Sequence, residues 1–259
     1  MTQNSTIWVQ SCSAEADAAL WTTYQDSAKR HARKVVRPDL SVQFHGVSTT
    51  YPGIDYLDGA LQLATREVVR NAIQAEQQAY AAFVMISTND SGNREVRELT
   101  DFPAVFITET AVHFAAQLGG KFAFLTHNPG ARKKMELMTE RYGLGSLLVE
   151  GASLNMTYQD FTRIYQDPAA GLAEFTREAR KVIARGARIL IPVGGPLNMF
   201  FVDQGFKQVD GVPLLDILAV ALKTAEQLID LNALGVPQRG ASEVKPEFKE
   251  KLRALFLGR

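Results

Sequence analysis

Two similar α/β lobes, each a four-stranded and mostly parallel sheet flanked by helices, are what this 259-residue sequence predicts, on three observations. Short β-branched apolar runs alternate with amphipathic stretches along the chain, the pattern of repeated βαβ units. The runs are nearly continuous in hydrophobicity, as in Ala82-Phe83-Val84-Met85-Ile86. Such strands are buried on both faces, which is the condition of a parallel sheet. The chain also repeats itself. Residues 82–87 correspond to 188–193, and a strand opened by Pro103 or Pro213 follows each and runs into an alanine-rich helix.

Taken in order, the strands fall at 7–10, 41–47, 82–87, 104–108, 122–126, 147–150, 189–193 and 213–216. Between them the 3.6-residue periodicity predicts helices over 14–34, 56–76, 109–118, 131–142, 158–184 and 218–231. The repeat offset sets a lobe boundary near Thr110. Residues 1–112 with 217–259 form the first lobe and 113–216 the second, the helix over 218–231 folding back on the first. The tail from Gly235 carries Pro237, Gly240 and Pro246 before a short amphipathic helix over 246–257, and reads as a peripheral clasp.

Composition narrows the partners. Lys+Arg and Asp+Glu both number 28, so the net charge is zero and little drives the chain toward nucleic acid. No apolar run approaches the ~20 residues that cross a bilayer, and the first six residues lack a secretory pattern. A cytoplasmic protein acting on a small molecule, with neither membrane nor nucleic acid as partner, is expected. The one cysteine, Cys12, makes no internal disulfide and no cysteine-built metal cluster. Neither a dinucleotide or phosphate-loop fingerprint nor a zinc-type histidine spacing occurs, so no cofactor and no metal are expected. Apolar helix positions Leu61, Leu63 and Val69, read as exposed, predict a homo-oligomer, most simply a dimer.

In parallel α/β lobes ligands bind beyond the C-terminal ends of the strands. That rule selects Ser11, Cys12 and Ser13 after the first strand, His45 at the end of the second, and Ser87 through Gly92 after the third. It adds Thr108 and Glu109, then Thr126, His127 and Asn128, then Gly194 through Asn198, and last Asp216. Small hydroxyl and amide residues before helix N-termini suit carboxylates and other anions. Ser87 reads as a nucleophile if His45, His127, Asp90 or Glu109 serves as its base, or as a hydroxyl binding a substrate carboxylate or capping a helix. Cys12 reads as a thiolate lowered by a helix starting at Ala14-Glu15-Ala16, or as a buried inert thiol. His127 and His45 are acid–base candidates near neutral pH, or turn histidines, whereas His113 and His31 read as structural or solvated. Ser11, Thr88, Asn89, Asp90, Thr126 and Asn198 are candidate substrate contacts. Gly194 and Gly195 join them because they let backbone approach a ligand closely. Asp216 caps the next helix or orients a site residue.

The segments 83–92 and 102–111 resemble the first half-site of the aspartate/glutamate/hydantoin racemase superfamily, and 186–195 with 212–216 resemble its second. Residues 121–126 resemble the strand that opens its second lobe, and the likeness runs over roughly residues 5–230. The resemblance implies two pseudo-symmetric Rossmann-like lobes, a small-molecule site in the cleft between them, and chemistry without metal or organic cofactor. It also implies two cysteines, one per lobe, as thiolate base and thiol acid. Those positions fall on Ser87 and Gly194, and Cys12 does not restore the pair. Three readings follow. The first is an isomerase or lyase that transfers a proton on a small carboxylate or cyclic amide without a cysteine pair. The second is a hydrolase of a small ester, amide or lactam using Ser87 or an activated water. The third is a non-catalytic small-molecule binding protein.

Overall fold

The computed structural model describes residues 5–14, 20–54, 57–156, 160–238, 240 and 244–259. The chain forms two compact units. One comprises Met1–Asp17, His31–Phe106 and Ala221–Arg259, the other Ala18–Arg30 and Ile107–Val220. The helix starts expected over 15–16, at 56 and at 158 lie outside the described residues, as do the first four residues. No helix among the described residues is long and apolar enough to cross a membrane.

In the first unit β1 (Thr6–Ala14) lies between β2 (Ser41–Val47) and β3 (Ala82–Met85), with β4 (Ala104–Phe106) beyond β3. All three pairings are parallel. Every residue of β3 is buried, as its unbroken apolar run requires. Phe83 and Met85 face one side with Trp8 and Phe106, and α2 (Asp58–Gln77) covers them with Val68, Val69, Ala72 and Ile73. Val69 is therefore core, not exposed surface, and Leu61 is half-buried; Leu63 alone of the three stays exposed. The helical stripe that must meet the sheet takes in position 69.

β1 runs four residues past its expected end, so Ser11, Cys12 and Ser13 belong to the strand instead of following it. β4 ends two residues early, because α4 (Ile107–Gln117) begins at once and takes Thr108 and Glu109 into its first turn. A short α3 (Asn93–Leu99) links β3 and β4. The last helix, α10 (Pro246–Phe256), docks through Arg253, whose Nη1 donates to Glu76 Oε2 and to the Leu99 carbonyl, both at 2.6 Å. Lys249 adds a 2.6 Å bond to Asp101.

The second unit has three parallel strands in the order β6-β5-β7: β5 (Phe122–Thr126), β6 (Ala152–Ser153) and β7 (Ile189–Pro192). The expected fourth strand is reduced to one parallel bridge, Leu190 to Leu214. Its preceding residues instead form the antiparallel hairpin of β8 (Gln208–Val209) and β9 (Val212–Pro213). The order of the first sheet nevertheless recurs, a central first strand with the second on one side and the third on the other. Residues 147–150 are not a strand. A 3-10 turn, Gly145–Leu147, leads to a lone bridge at Leu148, and pairing resumes only after Gly151, where a Cβ would strike the Phe124 carbonyl. The helix expected over 158–184 is two, α6 (Asp160–Gln166) and α7 (Pro168–Ala184). Pro168 lacks the N–H that a helix interior needs, and Asp167 caps α7 by accepting from the Ala170 N–H at 3.1 Å. The remaining helices are α1 (Leu20–Val35), α5 (Pro129–Arg141), α8 (Gly195–Asp203), which the sequence did not announce, and α9 (Ile217–Ala233).

The loop after β2 is tied to α2 by one buried carboxylate. Glu67 accepts from the Ser48 N–H at 2.8 Å, the Ser48 hydroxyl at 3.0 Å, the Tyr51 hydroxyl at 2.7 Å and Arg70 at 3.2 Å. Burial alone pushes this carboxyl up, but the donors from Ser48 and Tyr51 and the Arg70 charge outweigh it and hold the group below its ordinary value. A carboxyl depressed by folding stabilises fully above its unfolded value and loses that contribution as pH falls through the folded one. Glu67→Gln should therefore cost about 1–3 kcal/mol near neutral pH. In thermal melts of the two proteins, the gap should hold from pH 7 to about 5 and close in more acidic buffer.

Candidate active site

In the first unit, Gln10 pairs with Met85 and the Ile86 N–H donates to the Gln10 carbonyl at 2.9 Å. Ser11, Cys12 and Ser13 therefore lie at the same sheet end as Ser87. From Ser87 the chain turns at once. The Asp90 N–H returns to the Ser87 carbonyl at 2.9 Å, and the Asn93 N–H to that of Asp90 at 3.1 Å. Asp90 and Gly92 both take left-handed backbone, φ 46° and 77°. At Gly92 a Cβ would also press on Val69 at 3.2 Å. The turn leaves Ser87, Thr88 and Asn89 half-buried at its crown and sinks Asp90 and Ser91 into the unit.

Cys12 is buried, and its Sγ donates to the Ser91 hydroxyl at 3.3 Å. The thiol thus supports the turn from below. The Ser11 hydroxyl is used locally, accepting from the Ser13 N–H at 3.0 Å. Beneath both sits Gln10, wholly buried in the central strand. Its Oε1 accepts from Trp8 Nε1 at 2.9 Å and from Asn71 Nδ2 at 3.1 Å, and its Nε2 donates to the Ser11 carbonyl at 2.7 Å. A glutamine inside an apolar strand was the available sign of this network, which sequence reasoning passed over.

His45 does not stand at a strand end. It lies within β2 opposite Gln10, its ring stacked on Trp8 with centroids 3.4 Å apart and planes 10° apart, edge-on to Tyr80. That ring is packed among aromatic side chains, and the residue lies within the strand instead of following it. His113 sits inside α4 with Nδ1 3.0 Å from the Glu109 carbonyl, a helical contact.

In the second unit, Leu125 pairs with Pro192 and the Val193 N–H donates to the Leu125 carbonyl at 2.9 Å. Thr126 and His127 therefore leave the sheet beside Gly194 and Gly195. The Thr126 hydroxyl donates to the Asn128 carbonyl at 2.8 Å, and Asn128 Oδ1 caps α5 by accepting from the Ala131 N–H at 2.8 Å, ahead of Pro129. His127 is 2% exposed. Gly194 has φ 102°, a conformation that disfavours any side chain. A Cβ there would have His127 Nδ1 as its neighbour, at 3.9 Å. At Gly195 a Cβ would fall inside the hydroxyl of Tyr24, a buried residue of α1. Burial pushes that phenol far up. Tyr165 joins it at the start of α8, donating to the Pro196 carbonyl at 3.3 Å. Neither tyrosine was picked from sequence, since each reads as an ordinary helix residue.

Asn198 has both ends of its amide engaged by protein partners. Its Nδ2 donates to Asp216 Oδ1 at 3.2 Å and its Oδ1 accepts from the Ile217 N–H at 3.1 Å, while Asp216 accepts from the Ala219 N–H at 3.1 Å. Both groups serve the N-terminus of α9, whose first N–H groups have no partner within the helix. Among the described residues no three of His, Cys, Asp and Glu converge as metal ligands.

A family model described as Asp/Glu/Hydantoin racemase matches residues 21–225. The hydantoin racemase of Pseudomonas sp. (strain NS671) is 29% identical over 192 residues, 73% of this chain and 73% of that protein. Allantoin racemase from Klebsiella pneumoniae superposes with a TM-score of 0.73 at 16% identity, over 94% of this chain and 97% of that one. Arylmalonate decarboxylase superposes with a TM-score of 0.56 at 16% identity, over 93% and 96%.

Asn198→Ala removes a buried amide, leaves the Ile217 N–H without its acceptor and takes one donor from Asp216. Urea denaturation should show a loss of about 1–3 kcal/mol, the range for orphaning buried polar groups.

Proposed function

The chain belongs to the Asp/Glu/hydantoin racemase family, and from that membership we propose a cofactor-independent isomerase or lyase that transfers a proton at the carbon beside a carbonyl or carboxylate, without a pair of cysteines. A hydantoin-type cyclic amide is the first substrate class to try, because the 29%-identical relative is named a hydantoin racemase; a small carboxylate is the second.

The observation that carries this reading is the half-buried turn of Ser87, Thr88 and Asn89 at the C-terminal end of a strand buried on both faces. Removing a proton beside a carbonyl leaves an enolate, with its charge on oxygen. Hydroxyl and amide donors held by a rigid turn stabilise such an oxyanion without reorganising. An unassisted serine hydroxyl is too weak an acid to be the base at neutral pH, so Ser87 is assigned the role of donor. The imidazole of His127, beside a glycine that brings no side chain of its own, is the acid–base candidate of the second unit. Cys12, bonded beneath the turn, takes no part in the chemistry. With His45 engaged by Trp8, the hydrolase reading loses one of the bases proposed for Ser87.

The test is exchange of the carbon-bound proton of a 5-substituted hydantoin in D2O, followed by NMR. Ser87→Ala should lower turnover by ~10²-fold or more with little change in KM, the behaviour of a group acting in the transition state. A change confined to KM would assign Ser87 to carboxylate binding. Iodoacetamide should leave the activity intact, and complete inactivation would return Cys12 to the mechanism.

A further inference from the structure

The last helix, α10, is attached to its own unit by its charged side. The side chains of Lys249 and Arg253 are each 12% exposed, whereas Phe248, Leu252 and Leu255 are 55%, 43% and 66% exposed. A helix that served merely to cover a core would turn that apolar stripe inward and its cations outward. Apolar contact comes from the end of the helix, where Phe256 and Leu257 share a core with Phe102. What charged hydrogen bonds add to such contact is direction.

Arg253 Nη1 meets two elements at once: Glu76 Oε2 in the last turn of α2, and the carbonyl of Leu99, the last residue of α3. The other Glu76 oxygen accepts from the Asp101 N–H, and Lys249 donates to the Asp101 carboxylate. The C-terminal ends of α2 and α3 are thus joined through one carboxylate and one guanidinium. At the opposite end of α3, Gly92 closes the turn that presents Ser87, Thr88 and Asn89. Space there is short, since a Cβ at 92 would lie 3.2 Å from Val69 of α2 and 3.4 Å from Val96 of α3. Seven helical residues span only ~10 Å, so a shift at the far end of α3 tilts the residues that close the turn.

From this arrangement we infer that Arg253 is a positioning residue, which through α3 sets the placement of the Ser87–Asn89 turn, with α10 as the strap that holds its guanidinium. The inference rests on the reading of that turn as the oxyanion-binding part of the site. Arg253 acts through Leu99 and Glu76, not on the substrate.

The test is amide hydrogen exchange of the full chain, read by NMR, with turnover of 5-isopropylhydantoin measured in parallel. In Arg253→Ala the N–H groups of Asp90 and Asn93, which form the turn's own bonds, should exchange ~10-fold faster or more, while those of β5 keep their wild-type rates. Turnover should fall ~10-fold or more with KM within about twofold, because a misplaced donor costs most in the transition state. Millimolar guanidinium should restore both, and Arg253→Lys, whose ammonium can still donate to both acceptors, should lie near wild type. Lys249→Ala loosens the same strap from its exposed side and should give the same pattern at about threefold. That variant decides the matter if Arg253→Ala does not fold. Wild-type exchange at Asp90 and Asn93 in a folded Arg253→Ala would overturn the inference. So would faster exchange by one common factor in both units, the mark of general destabilisation, or a loosened turn with unchanged turnover. A wild-type protein inactive on hydantoins would sink the proposed reaction, and the amide rates would still decide whether Arg253 holds the turn.

Discussion

Burial of parallel strands on both faces is the constraint from which the rest of this molecule follows. β3, β5 and β7 have no exposed residue, so a polar side chain within them needs a complete set of partners. Thr126 meets that condition at the end of β5, by donating to the Asn128 carbonyl. Gln10 meets it inside β1, with Trp8, Asn71 and the Ser11 carbonyl, and the network spans three elements. Elsewhere polar groups gather where the strands stop, Ser87, Thr88 and Asn89 in the first unit and His127 in the second.

That constraint is also why so much was legible in the sequence. A strand buried on both faces writes itself as an unbroken apolar run, and β5 has the expected bounds. The repeat is visible in the sheets, where β2-β1-β3 recurs as β6-β5-β7. What failed was local and has local causes. Val149 and Leu148 look like strand, but the 3-10 turn before them and Gly151 after them delay full pairing to Ala152. The run from 158 to 184 has helical periodicity throughout, yet Asp167-Pro168 divides it. The stretch after Gly194 reads as loop because of Gly195 and Pro196, although proline near a helix start is favourable and α8 begins there.

Site residues were legible to a lesser degree. Position along the chain located the loops, and Ser87, His127 and Gly194 do stand at strand ends. Their partners are not encoded nearby. Asn198 was read as a contact because it follows a glycine pair, but Asp216 and Ile217 claim it from eighteen and nineteen residues away. His45 was read as a base because it sits late in a strand, and Trp8 on the neighbouring strand claims its ring. Tyr24 is the reverse case, a residue with no local signature whose place in the packing shows only through the glycine that makes room for it.

The first unit is assembled from both extremes of the chain. Residues 107–220 belong to the second unit, and only after them come α10 and most of α9, with Arg253 and Lys249 bonding Glu76, the Leu99 carbonyl and Asp101. A ribosome adds about 5–20 residues per second, so the segment that completes the first unit is made on the order of ten seconds after β4. During that interval Phe102 and its neighbours, which Phe256 and Leu257 share a core with, have no cover from the tail. The second unit has no such wait, since only 18–30 precede its main segment and they are already made. Synthesis therefore favours completion of the later-encoded unit first, and the nascent first unit is the one that keeps apolar surface uncovered while translation continues.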